Sequence, residues 1–427
     1  MQIPAGFTGR LNRLSTSLSS HPEPSPSENS AGPAASHWPL TLCLGLVAAL
    51  APLSIDMYLP TFSTIAREFD ATAAQIQLTL SVYILGFTFG QLVYGPLSDR
   101  FGRRPVLLSG IVIYVAMSVL CASATSAEGL TIYRFFQAIG GGAGTVLSRA
   151  IIRDRYTGVQ MAKVMSLMLT IILFAPMIAP VFGGYLLIWL GWRAVFWALT
   201  ICGIAAICVV AFGIKESLPP ERRAQPGFGP VLRGYITVLS NRDALGFVLS
   251  GGVTFGALFA FLSGAPFVFI EFYGVAPEHL GYIFTLNVLG VMAGGWLNSK
   301  LVVTKGVRDM MTIGIWLLLA GSIILFALVA TNVWGVWGVI LGIIFFTLPL
   351  NMINANAAAG TLEFFPYNAG TASAVVGAVR YGCGAVSGIC VGLLHDGTAM
   401  PMAWVILGCS AIAVFFLLTM VRRRQPA

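Results

Sequence analysis

Gly95-Pro96-Leu97-Ser98-Asp99-Arg100-Phe101-Gly102-Arg103-Arg104 packs one carboxylate and three arginines into its last six residues. Long apolar runs flank it, Ala73 to Tyr94 before and Pro105 to Thr125 after. A single central Asp or Arg costs about 2.5–3.5 kcal/mol in hydrocarbon, so this cluster cannot rest there. The spacing predicts a short turn in water between two membrane-spanning helices. The preference for Lys and Arg on the cytoplasmic side explains the arginines. It does not explain Gly95, Asp99 and Gly102 at these separations, and the stretch therefore reads as a motif.

The whole chain agrees with a lipid solvent. Of its 427 residues 57% are hydrophobic and 9% charged, where a soluble protein has about 25% charged. The 48 glycines fit as well, since Gly is frequent in membrane helices. Seven cysteines lie in or at the ends of apolar runs without metal-ligand spacing. They read as buried packing, with no disulfide, metal or cofactor expected. The four histidines, at 21, 37, 279 and 395, stand beside no nucleophile, so an enzyme is not expected.

Twelve apolar segments follow Trp38, at about 40–62, 75–95, 105–124, 128–149, 163–188, 194–214, 244–270, 278–299, 309–330, 334–357, 367–393 and 400–421. Each approaches the ~20 residues that cross a bilayer as a helix. The fold class is thus an all-α membrane protein with two six-helix halves. The expected divisions are a disordered cytoplasmic tail over 1–37, halves over 38–214 and 244–422, a linker over 215–243 and a tail over 423–427. The Ser/Pro-rich tail is too polar to order itself; its Arg10 and Arg13 also resemble a transit peptide, but Pro22, Pro24 and Pro26 break any amphipathic helix. With the N-terminus inside, 20 of the 24 Lys and Arg fall on the inner side. That bias places both termini in the cytoplasm and accounts for the net charge of +8 without nucleic acid. A faint repeat lays Gly95 to Arg100 on Gly295 to Lys300, between the second and third segments of each half.

Ionisable residues inside the segments are candidates for function. Asp56 lies late in segment 1, roughly 9 Å from its outer end at 1.5 Å per residue, and Arg134 lies at a similar depth in segment 4. Asp56 reads either as a proton carrier whose affinity Arg134 sets, or as a residue that caps or snorkels at the interface. Gln137 and the run Gly140-Gly141-Gly142 follow Arg134; the glycines permit close helix approach and form no phosphate loop, since no Gly-Lys-Ser/Thr follows. Met57, Tyr58, Gln137, Asn351, Asn354 and Arg380 are the expected lining of a substrate cavity. Arg380 has no carboxylate in its own segment and is expected to meet a substrate anion, a carbonyl, or Asn351 or Asn354. In segment 5, Pro176 and Pro180 bend the helix, and Gly183 and Gly184 offer a flat face.

These residues resemble the proton-driven drug exporters of the major facilitator superfamily, and more narrowly the bicyclomycin/chloramphenicol-resistance family. The likeness is carried by Asp56-Met57-Tyr58-Leu59-Pro60, Gly90 to Pro105, Arg134-Phe135-Phe136-Gln137-Ala138, Arg149 to Asp154, Ala175 to Gly184, Gly191-Trp192-Arg193, Ser263 to Val268 and Gly370 to Ala374. It implies twelve helices, drug/proton antiport by a monomer in the bacterial inner membrane, a helix-4 arginine and a helix-1 acid. Arg134 and Asp56 occupy those places. Gly95, Asp99, Arg100, Gly102, Arg103 and Arg104 would form a conformational latch, with Asp99 at the N-terminus of segment 11 near Tyr367 to Gly370. Two positions depart from the pattern: Ala175 and Ala179 stand where the helix-5 motif has Gly, and Arg380 stands where a neutral polar residue is expected. The expected partners are a small-molecule substrate, protons and the lipid bilayer. Alternatives on the same fold are an exporter of one metabolite, such as an amino acid or short peptide, or an importer; a membrane sensor is a third.

Topology is directly testable. An alkaline-phosphatase fusion after Arg424 should be inactive in bacteria, and one near Asp70 active. Activity at the C-terminus would overturn the twelve-helix arrangement.

Overall fold

In hydrocarbon a peptide group finds no partner but another peptide group, and the chain answers with helices. A computed structural model describes residues 38–223, 229–365 and 369–421. The tails over 1–37 and 423–427 and part of the 215–243 linker lie outside the described residues. Every regular element among those described is helical.

Ten described helices are long and apolar enough to cross a bilayer. Spans 1, 2 and 3 are Leu40–Glu68, Ala73–Phe101 and Arg103–Ala122; spans 5, 6 and 7 are Gly158–Leu190, Arg193–Gly213 and Arg242–Phe272. Pro277–Thr331 is 55 residues long but breaks at Gly306, where φ is 80°, giving span 8 (277–305) and span 9 (307–331). Spans 10, 11 and 12 are Val336–Glu363, Gly370–Leu393 and Met400–Met420. Span 4, Ala127–Arg155, completes the twelve. It is the most polar because it is shielded from lipid: a Cβ on Gly140 would meet the Tyr114 backbone, and one on Gly144 the Val47 carbonyl. Close packing is therefore what the glycine run serves.

Three sequence expectations change. The charged stretch is not a loop: span 2 stays helical through Phe101, and the turn is Gly102 alone. Asp99 and Arg103, one turn apart across the break, form an ion pair. Segment 1 runs on to Glu68 through a 3-10 turn, Leu59–Thr61, built around Pro60. Asp56 thus sits near the middle of its span. The linker is not wholly irregular, since Gly229–Ser240 is a helix whose Val238 packs with Val248, Ala372 and Val375.

Gly102 and Gly306 adopt nearly the same backbone conformation, with φ, ψ of 97°, 154° and 80°, 165°. Both mark the turn between the second and third spans of a half. Matching these turns shifts the sequence overlay by four residues, so Arg104 corresponds to Arg308.

The halves meet along spans 2 and 11 and along spans 5 and 8. Toward Glu68 they are shut. A Cβ on Gly184 would come within 2.9 Å of Glu278, one on Gly392 within 2.9 Å of Gln77, and one on Gly388 within 2.6 Å of Ser81. Thr285 also donates to the Met177 carbonyl at 3.2 Å. Toward Asp99 a cavity of about 330 Å³ separates spans 2 and 4 from the start of span 11.

Gly102 has a conformation open essentially to glycine, and a Cβ there would lie 2.6 Å from the Glu216 carboxylate. Gly102→Ala should cost about 1–3 kcal/mol. Gly95 has open space around it, so Gly95→Ala should be neutral or slightly stabilising. Thermal unfolding of the purified protein in detergent checks the contrast; equal midpoints for the two variants would contradict it.

Candidate functional site

Arg134 is the largest fully buried side chain, with no exposure at all. Its Nη1 donates to Gln137 Oε1 at 2.8 Å, one helical turn on. Gln137 Nε2 donates to Ser118 Oγ at 2.7 Å, and Ser118 donates to the Tyr114 carbonyl. The guanidinium lies over the rings of Tyr83 at 4.0 Å and Tyr58 at 4.5 Å, with Phe196 at 5.9 Å. Such contacts contribute about 0.5–2 kcal/mol each when desolvated. The rings are themselves pinned: Tyr58 Oη to Thr79 Oγ1 at 2.7 Å, and Tyr83 Oη to the Ala51 carbonyl at 3.2 Å. Arg134 Nε and Nη2 remain buried without hydrogen-bond partners.

Asp56 is the last residue of the first helix of span 1. It is 5% exposed. It forms no ion pair or hydrogen bond with any described residue, so in this conformation it is not bridged to Arg134. Tyr58 takes that place over the guanidinium. Met57 and Tyr58 are buried and wall off the Glu68 side rather than line an open cavity. The close fit depends on Gly183, where a Cβ would overlap the Met57 carbonyl. Span 5 stays helical through both Pro176 and Pro180, and its Gly183 and Gly184 seat span 1 and span 8 in turn.

In the second half, Arg380 meets neither Asn351 nor Asn354. Its guanidinium lies 4.0 Å from the centre of the Phe255 ring in span 7. Asn351 lies against Gly295 of span 8, and Asn354 is half-buried. A different asparagine joins spans 8 and 10: Asn356 Nδ2 donates to Asn298 Oδ1 at 2.6 Å.

At the other face Arg103 is the hub. It pairs with Asp99 at 2.5 Å and with Asp154 of span 4 at 3.0 Å, and donates to Ser98 Oγ at 2.6 Å. Arg104 donates to the Ala211 carbonyl at 2.6 Å, while Arg100 lies over the Phe101 ring. Asp99 lines the 330 Å³ cavity opposite Gly370 and makes no hydrogen bond to the described start of span 11; Tyr367 lies outside the described residues. Sequence reading missed Glu216. Its carboxylate accepts the backbone N–H groups of Arg103 and Arg104 at 2.9 and 3.2 Å, closing the N-terminus of span 3. It also accepts those of Ser217 and Leu218. Partial burial pushes its carboxyl up, but the amides of Leu218, Arg103, Arg104 and Ser217 outweigh this and hold it below the ordinary value of 4.5. The available signal was a single carboxylate at the end of span 6 amid basic residues.

Residues 44–389 match the Major Facilitator Superfamily. A Haemophilus influenzae protein named a bicyclomycin resistance protein homolog is 34% identical over 381 residues, covering 87% of this chain and 94% of its own. A Pseudomonas aeruginosa chloramphenicol resistance protein is 31% identical over 382 residues, covering 85% and 88%. The crystal structure of a D-xylose-proton symporter superposes with a TM-score of 0.71 at 16% identity, over 90% of this chain and 98% of that one; at that identity the likeness is one of fold. These relatives are transporters, not enzymes.

Because the folded state depresses the Glu216 carboxyl, its contribution to stability is complete above about 4.5, the unfolded value, and fades as pH falls through the depressed one. Glu216→Gln should lower the unfolding midpoint by about 1–3 °C at neutral pH. The gap to the unaltered protein should close on acidification below pH 4. Midpoints measured in detergent from pH 7 downward check this, and a gap independent of pH would contradict it.

Proposed function

Because this chain belongs to the Major Facilitator Superfamily, we propose that it is a proton-coupled secondary transporter exporting small drug-like compounds across the bacterial inner membrane. The observation that carries the coupling role is the state of Asp56. It is a carboxylate near the middle of span 1, 5% exposed and bound to no described residue. Arg134 is held nearby by Gln137 and by the ring of Tyr58, two residues on from Asp56. A carboxylate held by nothing can change its proton; one locked in a bridge cannot do so cheaply. In this reading Arg134 sets the proton affinity of Asp56. Asp56 would load a proton from outside and release it inward as the cavity switches, in exchange for substrate.

In this reading both termini are cytoplasmic and the Asp99 face is the inner one. The chain divides into six-helix halves over 38–214 and 244–422, joined by the 215–243 linker, and works as a monomer. The conformation is then inward-facing, with the Gly183–Gly184 face of span 5 as part of the outer seal. Asp99 would leave Arg103 and meet the N-terminus of span 11 when the inner side closes. Met57, Tyr58, Gln137, Asn351, Asn354 and Arg380 would border the path of the substrate at different stages. A carrier for one metabolite is a second reading, and the uncompensated Arg380 favours it.

Asp56→Asn keeps shape and hydrogen bonding but cannot titrate. In proteoliposomes it should insert normally and still exchange substrate, while proton-driven accumulation falls to the level reached without a gradient. Full gradient-driven export by this variant would remove Asp56 as the coupling site.

A further inference from the structure

Arg380 lies halfway along span 11 and is only partly buried. None of its N–H donors meets an acceptor among the described residues, and its Nε is buried without one. No carboxylate contributes to the field at its guanidinium; the charged side chain that does is Arg149 of span 4, another cation. Arg134 has its glutamine and three rings, whereas Arg380 has ring faces alone.

Those rings are arranged in series. Phe87 of span 2 packs edge-on against Tyr381 at 4.9 Å and Tyr381 edge-on against Phe255 at 5.1 Å, while Phe255 lies tilted against Phe259 at 4.9 Å. The series therefore crosses from one half to the other. It places aromatic rings beside an unsatisfied guanidinium fork where spans 2 and 11 of the two halves meet.

A cation deep in a bilayer without a counter-charge is costly to keep. Ring faces attract its charge but accept no in-plane N–H bond. The guanidinium fork matches a planar two-oxygen anion, which would take two parallel charge-assisted hydrogen bonds. Arg149 raises the local positive potential and so strengthens the preference for an anion. We propose that Arg380 and the Phe87–Tyr381–Phe255 ring series recognise a small organic anion: the guanidinium binds a carboxylate, and the rings take a flat aromatic body. The inference rests on the reading that the space between the halves holds the substrate, and it narrows that substrate to aromatic carboxylates.

Equilibrium binding to the full-length protein in detergent tests this without requiring proton coupling. The probes are naphthalene-1-carboxylate and indole-3-acetate, each with its neutral primary amide, titrated by isothermal calorimetry. At least one acid should bind the unaltered protein about tenfold or more tighter than its amide. Arg380→Gln should bring acid and amide to equal affinity, Arg380→Lys should keep part of the preference, and Phe255→Leu should weaken both members of a pair. Equal affinity of acid and amide for the unaltered protein, or no binding of either acid, overturns the proposal. So does a preference that survives in Arg380→Gln. The comparison on unaltered protein stands even where a variant fails to assemble. Equal affinity of acid and amide for the unaltered protein together with intact proton-driven transport would reject this site and leave the transporter reading untouched.

Discussion

Lipid hydrocarbon solvates neither a peptide group nor a charge, and apolar side chains gain little there by touching one another instead of lipid. What holds such a protein together is close backbone approach and the internal pairing of backbone and most side-chain polar groups. Gly140, Gly144 and Gly183 each sit where a side chain would strike a neighbour's backbone. Ser54 and Tyr114, or Ser322 and Ser410, pair hydroxyls across spans at 2.7 and 2.6 Å. The same requirement governs the ionic groups, and their different treatment sorts them by role.

Three positions along the membrane show three treatments. Arg134 is enclosed by rings and a glutamine. Asp56 is enclosed but bound to no described residue. Arg103, its side chain 11% exposed, is shared between Asp99 and Asp154 at one face. The three groups lie on spans 1, 3 and 4 of a single half.

The span count was legible from the sequence because hydropathy reports the solvent directly. Ten helices satisfy that criterion, and the apolar segment read at 128–149 corresponds to span 4, the most polar of the twelve. Helix ends were less legible. Polar residues leave hydrocarbon before the helix stops, so the Asp99 stretch looked like a loop while being a helix end. Glu68 likewise closes a span that seemed to stop at Phe62. The candidate residues were found by type, since a lone charge in an apolar run announces itself. Their partners were not. Tyr83, Ser118, Phe255 and Glu216 reach their sites through tertiary contacts at sequence separations that no period encodes.

Span 4 has a consequence for how the molecule is made. With Arg134, Gln137 and Ser148 along its length it is a poor candidate to leave the insertion machinery for lipid unaided. Its packing partners are spans 2 and 3, together with Val47 of span 1. All three precede it in the chain, so its binding surface is already synthesised when it emerges. The order of the spans along the polypeptide is then also a schedule, in which a helix too polar to partition alone enters a groove that its predecessors have prepared.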